Sequence, residues 1–463
     1  MIKKLIHLSS LIIALQLISC ANELPPPGGD EDLTPPGIVQ ITPKPNSTNF
    51  TGKSIVIEFD EYIDRRSFTD ALFISPKPKS EMVVNYSGTS VEIVFPDGLE
   101  KNKTYTFYIG KELKDVRRGN KLTQPIQFAI STGSQIDKGQ LSGKVYSDDY
   151  TGIVVLAYRL ISQNNTIDPE SDEADFITQV DENGNYKYLN LPDGNFRVLA
   201  LRDEDRNLLL DENFEEIYVS TGDVEINQVT PVTGVDFMAE NFGITIGSSD
   251  FYSLLSADTM GFIYSSIKNN TREVIPDYTF YFYFKDNELS KQSISDNFTI
   301  RDTASGVTYQ PVLNWINDSL LEVFPVNKFR FGSNLKIEIN LLNTNLQYFY
   351  TKNFSVIEES STGKVNGEVK NIISPESSVY VRLYKNNNMF VYYSKLVNGS
   401  GSFNFNSVAE GEYTVFSFID ENNDGEYFKG TLNPFKPSER FVVYSRDLKV
   451  RGTWSVDNVF IQF

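Results

Sequence analysis

Alternation of apolar and polar residues along this chain predicts β-strands almost throughout. The period of two is clearest in residues 54–59 (SIVIEF), 90–95 (SVEIVF) and 104–109 (TYTFYI). Turn dipeptides such as Asn183-Gly184 and Asp193-Gly194 separate such segments at short intervals. No long segment has the period of an amphipathic helix. We therefore predict an all-β protein made of tandem β-sandwiches.

The second half of the chain repeats the pattern of the first half. Residues 90–96 (SVEIVFP) correspond to residues 319–325 (SLLEVFP). Residues 139–145 (GQLSGKV) correspond to 363–369 (GKVNGEV), and 192–198 (PDGNFRV) to 409–415 (AEGEYTV). Such internal repeats indicate duplicated structural units. They predict two kinds of module in alternation, with these approximate bounds: A1, 38–133; B1, 138–240; A2, 243–358; B2, 362–463.

The N-terminus predicts export and lipid anchoring. Lys3 and Lys4 precede an apolar run over residues 5–17, and the run ends in LISC at residues 17–20. This arrangement is typical of a signal peptide over residues 1–19. The tetrapeptide resembles the lipobox of bacterial lipoproteins, which implies that Cys20 becomes the acylated first residue of the mature chain. Residues 20–37, with five prolines and three glycines, predict a semi-extended tether.

Composition excludes several classes of active site. His7 is the only histidine and Cys20 the only cysteine, and the first is removed with the signal peptide. A mature chain without imidazole or free thiol assembles no Ser-His-Asp triad, no Cys-His pair and no His- or Cys-ligated metal site. The net charge of −19 disfavours nucleic acid and anionic headgroups as partners. We therefore expect a protein that is not an enzyme and needs no cofactor.

Two resemblances extend this interpretation. Residues 35–133, with FDEYI at 59–63 and ISP at 74–76, resemble bacterial Ig-like domains. Together with Cys20 and the tether, they are similar to Ig-like lipoproteins of the phylum Bacteroidota, most of which lack an assigned activity. The B modules resemble the transthyretin-like or CNA-B-like sandwiches that serve as spacers and stalks. These resemblances imply a structural role rather than a chemical one.

Acidic loops at matching points of the B modules are candidate calcium sites. Oxygen side chains at alternate positions of a tight loop converge on one point, as calcium requires. B2 has the fuller match, because Gly425 stands at the sixth position where B1 has Leu208. Neither loop has a glutamate at the twelfth position, and hydrogen-bonded turns without metal are the alternative. The candidate ligands are Asp420, Asn422, Asp424, Glu426 and Glu439 in B2, and Asp203, Asp205, Asn207, Asp211 and Glu215 in B1.

Two further groups of residues are weaker candidates. Residues 278–284 of A2 crowd aromatic side chains, so about half must face outward, and Tyr281, Tyr283 and Trp315 are candidates for contacting a sugar or a protein. Core packing plus a contact between modules is the alternative. The acidic residues Glu58, Asp60, Glu61 and Asp64 invite a glycosidase interpretation. We expect no catalysis there, because the Ig-like family carries a similar acidic strand end.

These observations together predict an outer-membrane lipoprotein that acts as an extended scaffold or protein-binding subunit of an envelope assembly. The alternative is a surface glycan-binding or adhesive lipoprotein. An edge strand is the expected contact with an envelope protein partner. The phylum's surface-export signal places acidic residues directly after the lipidated cysteine, whereas Ala21 and Asn22 follow here. This difference favours the periplasmic face.

Overall fold

The computed structural model describes residues 32–161, 166–239, 246–285, 290–342, 347–388 and 390–463. Strands dominate these residues, and the three α-helices are six or seven residues long. The fold class is therefore that of tandem β-sandwiches, as the alternation predicts. The chain divides after Asp137 into two compact units.

A1 is a sandwich of two antiparallel sheets. One sheet has the order β1-β2-β5-β4 and the other β3-β6-β7. Fully buried aromatic residues, among them Phe59, Phe95 and Phe107, fill the space between the sheets. Its elements are β1 (Ile38–Thr42), β2 (Ser54–Phe59), α1 (Arg65–Ala71), β3 (Leu72–Ser75), β4 (Val83–Ser87), β5 (Ser90–Val94), β6 (Thr104–Ile109) and β7 (Ile126–Ser131).

B1 is a sandwich whose last strand pairs in parallel with its first strand. One sheet has the order β10-β9-β12-β13, with β14 also on β12, and the other β11-β8-β15. Its elements are β8 (Gly139–Tyr146), β9 (Ile153–Leu160), β10 (Phe176–Gln179), β11 (Asn185–Leu191), β12 (Gly194–Arg202), β13 (Glu216–Val219), β14 (Val224–Ile226) and β15 (Phe237–Met238).

A2 is the largest sandwich, with two five-stranded sheets in the orders β16-β17-β19-β23-β22 and β18-β25-β24-β20-β21. Phe280, Phe282 and Phe284 alternate toward its core. Its elements are α2 (Ser249–Leu254), β16 (Ser256–Ala257), β17 (Ile263–Ser265), β18 (Thr271–Val274), β19 (Phe280–Phe284), α3 (Lys291–Asp296), β20 (Phe298–Asp302), β21 (Thr308–Tyr309), β22 (Pro311–Trp315), β23 (Leu320–Pro325), β24 (Asn334–Leu341) and β25 (Tyr348–Val356).

B2 repeats the plan of B1 after a short 3-10 turn at Glu359–Ser361. Its sheets have the orders β28-β27-β30-β31 and β29-β26-β32, and the last strand again pairs in parallel with the first strand. Its strands are β26 (Thr362–Lys370), β27 (Ser378–Lys385), β28 (Tyr392–Asn398), β29 (Gly401–Ala409), β30 (Gly411–Asp420), β31 (Phe441–Val450) and β32 (Ser455–Gln462).

The glycines that recur in the first strand of each B module have a shared packing reason. A Cβ built on Gly143 would lie 1.9 Å from the carbonyl oxygen of Val235, and one on Gly367 would lie 2.2 Å from that of Val459. These distances are shorter than the non-bonded contacts that Cβ atoms make in proteins. The last segment of each module can therefore approach its first strand so closely only because a glycine stands there. The sequence repeat at these positions is thus a packing requirement.

B2 contacts both other sandwiches of the second unit. The segment between β30 and β31, residues 421–440, is named the B2 loop. Its Leu432 and Phe435 pack on a second apolar cluster of B1, on the outer side of the sheet that carries β9 and β12. The Ser438 N–H donates to the carbonyl oxygen of Ser220 at 3.1 Å. On the A2 side, Val391 joins the A2 core and Phe390 packs against Phe251.

Candidate functional site

The segment between β12 and β13 in B1, residues 203–215, is named the B1 loop, and it brings three of the predicted ligands together. Carboxylate oxygens of Asp203, Asp205 and Glu215 all lie within 4.8 Å of one another. Calcium takes oxygen ligands at about 2.3–2.6 Å, so three oxygens at this mutual distance fit around one ion. The acidic side chains of the B1 loop therefore suit a hard cation in both chemistry and spacing.

Backbone amides hold this cluster in place. The Glu215 carboxylate accepts hydrogen bonds from the N–H groups of Glu204 at 2.8 Å and Asp211 at 3.0 Å. Burial raises the pKa of Asp203, the N–H groups of Leu208 and Arg206 lower it, and the neighbouring carboxylates of Glu215 and Asp205 raise it further. A bound cation would offset the repulsion among these carboxylates.

The other two predicted ligands of B1 serve the loop backbone. Asn207 Oδ1 accepts from the N–H of Leu209 at 2.6 Å, and its Nδ2 donates to Asp205 at 2.8 Å. Asp211 Oδ1 accepts from the N–H of Asn213 at 3.0 Å. These are the turn hydrogen bonds that Asn and Asp side chains make without metal.

In B2 the corresponding buried carboxylates each accept two backbone hydrogen bonds. Asp420 accepts from Asp424 N–H at 3.2 Å and Gly425 N–H at 3.0 Å. Glu439 accepts from Glu421 N–H at 2.9 Å and Phe428 N–H at 3.0 Å. Asp420 therefore ties the middle of the B2 loop to the end of β30. Glu439 links the end of the B2 loop to its start, as Glu215 does in the B1 loop.

The remaining predicted ligands of B2 are hydrogen-bonded to other groups of the chain. Arg382 Nη1 donates to Glu426 at 2.9 Å, which draws this carboxylate to the face of strand β27. Asn422 Nδ2 donates to Asp424 at 2.8 Å, and Asp424 also accepts from the N–H of Glu426 at 2.7 Å. Among the described residues, no group of three clustered carboxylates forms in the B2 loop. The positions of the side chains thus favour the B1 loop as a calcium site, whereas the spacing of the residues in the sequence favours the B2 loop.

The predicted outward aromatic residues on β19 of A2 are covered. Tyr281 is 7% exposed and packs edge-on against Phe251 of α2 at 5.3 Å, with Phe390 of B2 at 6.1 Å. The centre of the Tyr283 ring lies 4.9 Å from that of Tyr252. The alternation places these side chains outward, but α2 and B2 cover them. This arrangement agrees with the alternative of a contact between modules.

Trp315 is half-buried at the edge strand β22. Its ring lies 5.5 Å from that of Phe284, and the Lys291 ammonium stands 5.5 Å above it. Its indole Nε1 donates to the Ser295 hydroxyl at 3.4 Å. Helix α3 therefore covers much of this ring.

The acidic residues near β2 have structural roles. Asp64 caps helix α1 by accepting from the N–H of Ser67 at 2.8 Å. Asp60 accepts from the N–H of Gly37 at 2.7 Å. Asp64 thus satisfies a donor at the start of a helix, and Asp60 satisfies a backbone donor just before β1. Cys20 lies outside the described residues, and no helix among those described has the length and apolar character needed to span a bilayer.

Sequence reasoning missed Arg382 on strand β27. The alternation Tyr380-Val381-Arg382-Leu383-Tyr384 puts a cation between two tyrosines on the outer face of the sheet. Arg382 is only 8% exposed, and its guanidinium carbon lies 5.2 Å from the centre of the Phe418 ring. A charged residue inside an aromatic strand is the sequence signal that could have found it.

Residues 32–132 match the family described as the bacterial Ig-like domain. This part of the chain is a bacterial Ig-like domain. The Ig-like domain coincides with A1, so the predicted resemblance is confirmed for that module, while the lipoprotein and Bacteroidota parts of it stay predictions. No curated protein matches the chain.

Several solved structures show weak similarity. L,D-transpeptidase 3 from Mycobacterium tuberculosis is 8% identical over 29% of this chain and 44% of its own, with a TM-score of 0.17, so the match spans less than half of that enzyme. The Bacillus anthracis TIE protein is 10% identical over 94% and 76% of the two chains, with a TM-score of 0.16. Surface layer protein SbsC, domains 1–6, is 11% identical over 90% and 68%, with a TM-score of 0.20.

Proposed function

We propose that this chain is a non-enzymatic, lipid-anchored outer-membrane protein that acts as a scaffold or protein-binding subunit of a cell-envelope assembly. The observation that carries the proposal is the compact unit from Lys138 onward. B2 packs on B1 through the B2 loop and on A2 through Phe390 and Val391. Three sandwiches held together in this way present fixed surfaces to a partner.

The acidic residues support a structural rather than a catalytic role. Asp420 and Glu439 are 3% exposed and satisfy backbone amides, and Asp64 caps a helix. A general acid or base must instead reach a substrate. His7, the only histidine of the chain, falls in the predicted signal peptide, and Cys20, the only cysteine, is the predicted lipid attachment site directly after it.

Open strand edges are the surfaces we expect a protein partner to use. Among the described residues, β1 and β4 end one sheet of A1, and β28 ends a sheet of B2. A strand at the end of a sheet carries unpaired backbone groups along one side, and an extended segment of a partner can pair with them. Lipid attachment at Cys20 would hold these edges near the outer membrane, at its periplasmic face.

Co-purification from crosslinked outer membranes tests the proposal. A C-terminally tagged full chain is expected to bring down one envelope protein reproducibly and in fixed stoichiometry, as measured by mass spectrometry. Crosslinks should map to the open edges of A1 or B2. The Cys20→Ala variant is the matched control, because it should leave the membrane fraction and lose the partner. Purification of the tagged chain alone would contradict the scaffold role.

A second candidate function is a surface glycan-binding or adhesive lipoprotein. It is favoured by one observation, the half-exposed Tyr392 and Leu396 on the outer face of B2, at 48% and 51%. Protease treatment of intact cells separates the candidates, because an adhesive protein must be cleaved at the surface, whereas a periplasmic scaffold stays protected.

A further inference from the structure

The outer face of one B2 sheet is aromatic, and B1 covers only part of it. Phe416 and Phe418 of β30 are buried against Met238 of B1. The same face continues across β27 to the edge strand β28, where Tyr384 is paired in register with Tyr392. Tyr392 remains 48% exposed. The uncovered strip thus continues an interface that already buries aromatic rings.

Arg382 fixes the centre of this strip. Its guanidinium carbon lies 5.7 Å from the centre of the Tyr380 ring and 6.0 Å from that of Tyr392. Its Nη1 donates to the Tyr384 hydroxyl at 3.1 Å and to the Glu426 carboxylate at 2.9 Å, and Nη2 donates to the Gly425 carbonyl oxygen. Arg382 Nε is buried without a hydrogen-bond partner. The guanidinium is therefore locked, and it holds Glu426, whose side chain is 73% exposed, in one orientation.

A second set of polar groups lies beside the strip, on the outer face of A2. Glu322 of β23 accepts from the Tyr281 hydroxyl at 3.2 Å and from Asn314 Nδ2 at 3.0 Å. Asn314 is exposed on the edge strand β22. Tyr281 contacts Phe390, two residues before Tyr392, so this network adjoins the aromatic strip.

The electrostatics of Tyr392 agree with this placement. Burial of the hydroxyl raises the pKa of Tyr392, and the nearby Arg382 guanidinium lowers it. The carboxylates of Glu426 in B2 and Glu322 in A2 both raise it. Both carboxylates therefore act on the Tyr392 hydroxyl in the same direction, in agreement with the contact between Tyr281 of A2 and Phe390 of B2.

This combination suits a sugar better than an ion. The apolar C–H face of a pyranose ring stacks on an exposed aromatic ring, and its hydroxyl groups pair with fixed planar amides and carboxylates. The charge of Glu426 is already paired with Arg382, and Glu322 already accepts two hydrogen bonds. The cation position over Tyr392 is filled by Arg382 itself. Arg382 thus keeps a free cation from the face of Tyr392. Glu322, whose two hydrogen-bond donors are both neutral, keeps its negative charge and repels a free anion, whereas it still accepts hydrogen bonds from the hydroxyl groups of a neutral sugar.

We propose that the junction between A2 and B2 binds a neutral oligosaccharide, with Tyr392 as the stacking surface and Glu426 and Asn314 as hydrogen-bonding groups. The inference rests on the second candidate function and is independent of the scaffold role. Arg382 acts as a positioning residue for Glu426.

The test uses the full chain without its signal peptide and lipid. An array of neutral gluco-, manno- and xylo-hexasaccharides is screened, and the best probe is titrated by calorimetry. We expect Tyr392→Ala to weaken binding at least tenfold and Tyr392→Phe to leave it within threefold. Phe460→Ala is the matched control, because Phe460 is also 48% exposed but belongs to the opposite sheet of B2, and it should leave the affinity unchanged.

Three outcomes overturn the site. The first is that no neutral hexasaccharide binds at millimolar concentration. The second is that a hexasaccharide binds but Tyr392→Ala leaves its affinity unchanged. Binding of polylysine alone, suppressed by salt, assigns the junction to a cationic ligand instead. Thermal melting of each variant establishes that it is folded. Co-purification of an envelope protein is a separate readout, so failure of the sugar site leaves the scaffold role standing.

Discussion

At the scale of single residues, buried carboxylates decide the conformation of several loops. Asp115 is 1% exposed and accepts hydrogen bonds from the N–H groups of Arg118, Gly119 and Asn120. Burial alone would raise the pKa of Asp115, but these backbone donors together lower it. A carboxylate with several N–H donors is therefore more stable in its charged form.

Replacing Asp115 tests this hydrogen-bonding role. Asp115→Asn is expected to lower the unfolding free energy of A1 at pH 7 by about 1–3 kcal/mol, because an amide NH2 then faces backbone donors. A lowered pKa in the folded state stabilises the fold fully above the unfolded value of about 4, and this contribution is lost progressively as the pH falls from there through the lower folded-state pKa. The difference between wild type and variant should therefore shrink in acid.

Urea denaturation at pH 7 and at about pH 3.5 measures this difference. Asp97→Asn is the control, since Asp97 is an exposed carboxylate of the same domain and the charge change is identical. Equal effects of the two substitutions would show that net charge, rather than the hydrogen bonds of Asp115, sets the stability.

Calcium binding by the B1 loop is the second prediction at this scale, and it follows from the clustered oxygens of Asp203, Asp205 and Glu215. Calcium at a hundred times its dissociation constant should stabilise the fold by about 2.7 kcal/mol. Asp205→Asn should abolish this gain, because it leaves the B1 loop with the amide that B2 has at Asn422. Calorimetric melting with calcium and with chelator measures the effect.

Asp424→Asn in the B2 loop is the control for the calcium effect, because the Asp424 carboxylate already accepts hydrogen bonds from Asn422 Nδ2 and from the N–H of Glu426. It should leave the calcium effect unchanged. A calcium response that survives Asp205→Asn and disappears in Asp424→Asn would reverse the assignment of the two loops. No response in any variant would make both loops hydrogen-bonded turns without metal.

At the scale of elements, the alternation of apolar and polar residues predicts where the strands lie, but it does not predict which elements pack over their outer faces. The segments at 54–59 and 104–109 form β2 and β6 over the same residues. Period-two alternation depends only on neighbours in sequence, so it can be found without a structure. The three short helices escape it because each is six or seven residues long, although their N-cap residues Asp64, Ser248 and Ser290 are a usable signal.

The site residues could be predicted only as far as they depend on local spacing. The convergence of Asp203, Asp205 and Glu215 follows from loop spacing. Glu426 does not join the other predicted ligands of the B2 loop, because Arg382 on another strand binds it. Tyr281 is covered, because Phe390 of another module packs against it. Contacts between distant parts of the chain leave no periodic trace in the sequence, so these two outcomes required the fold.

The B2 loop gives the prediction at this scale. The Arg197 guanidinium lies 3.5 Å from the centre of the Phe435 ring and is held by paired hydrogen bonds of 2.8 Å to Asp223. Phe435→Ala should lower the unfolding free energy of the second unit by about 1–3 kcal/mol, because it removes a half-buried ring and a cation–π contact. Hydrogen exchange should also speed up in β13, next to the B2 loop.

Denaturant unfolding with hydrogen-exchange mass spectrometry measures both effects. Phe460→Ala is again the control, because this ring is 48% exposed and lies on β32, in the sheet of B2 that does not carry the B2 loop, and its loss should cost less than about 0.5 kcal/mol. Unchanged exchange in β13 of Phe435→Ala would mean that the B2 loop does not stabilise the outer sheet of B1.

At the scale of the whole molecule, the division after Asp137 predicts two unfolding transitions in scanning calorimetry. One belongs to A1 and the other to B1, A2 and B2 together. Phe107→Ala should lower only the first transition and Val415→Ala only the second, since each side chain is fully buried in the core of its own unit. Four separate transitions would show that the contacts of B2 do not couple the three sandwiches.

The parallel pairing of β26 with β32 has a mechanical consequence. The two strands run side by side in the same direction, so the N-terminal end of β26 and the C-terminal end of β32 lie at opposite ends of the pair. Tension between these two points loads their hydrogen bonds together in shear rather than peeling them apart one by one. A pull on the C-terminus of this chain would therefore meet its strongest resistance in B2, a property that single-molecule force measurements can read directly.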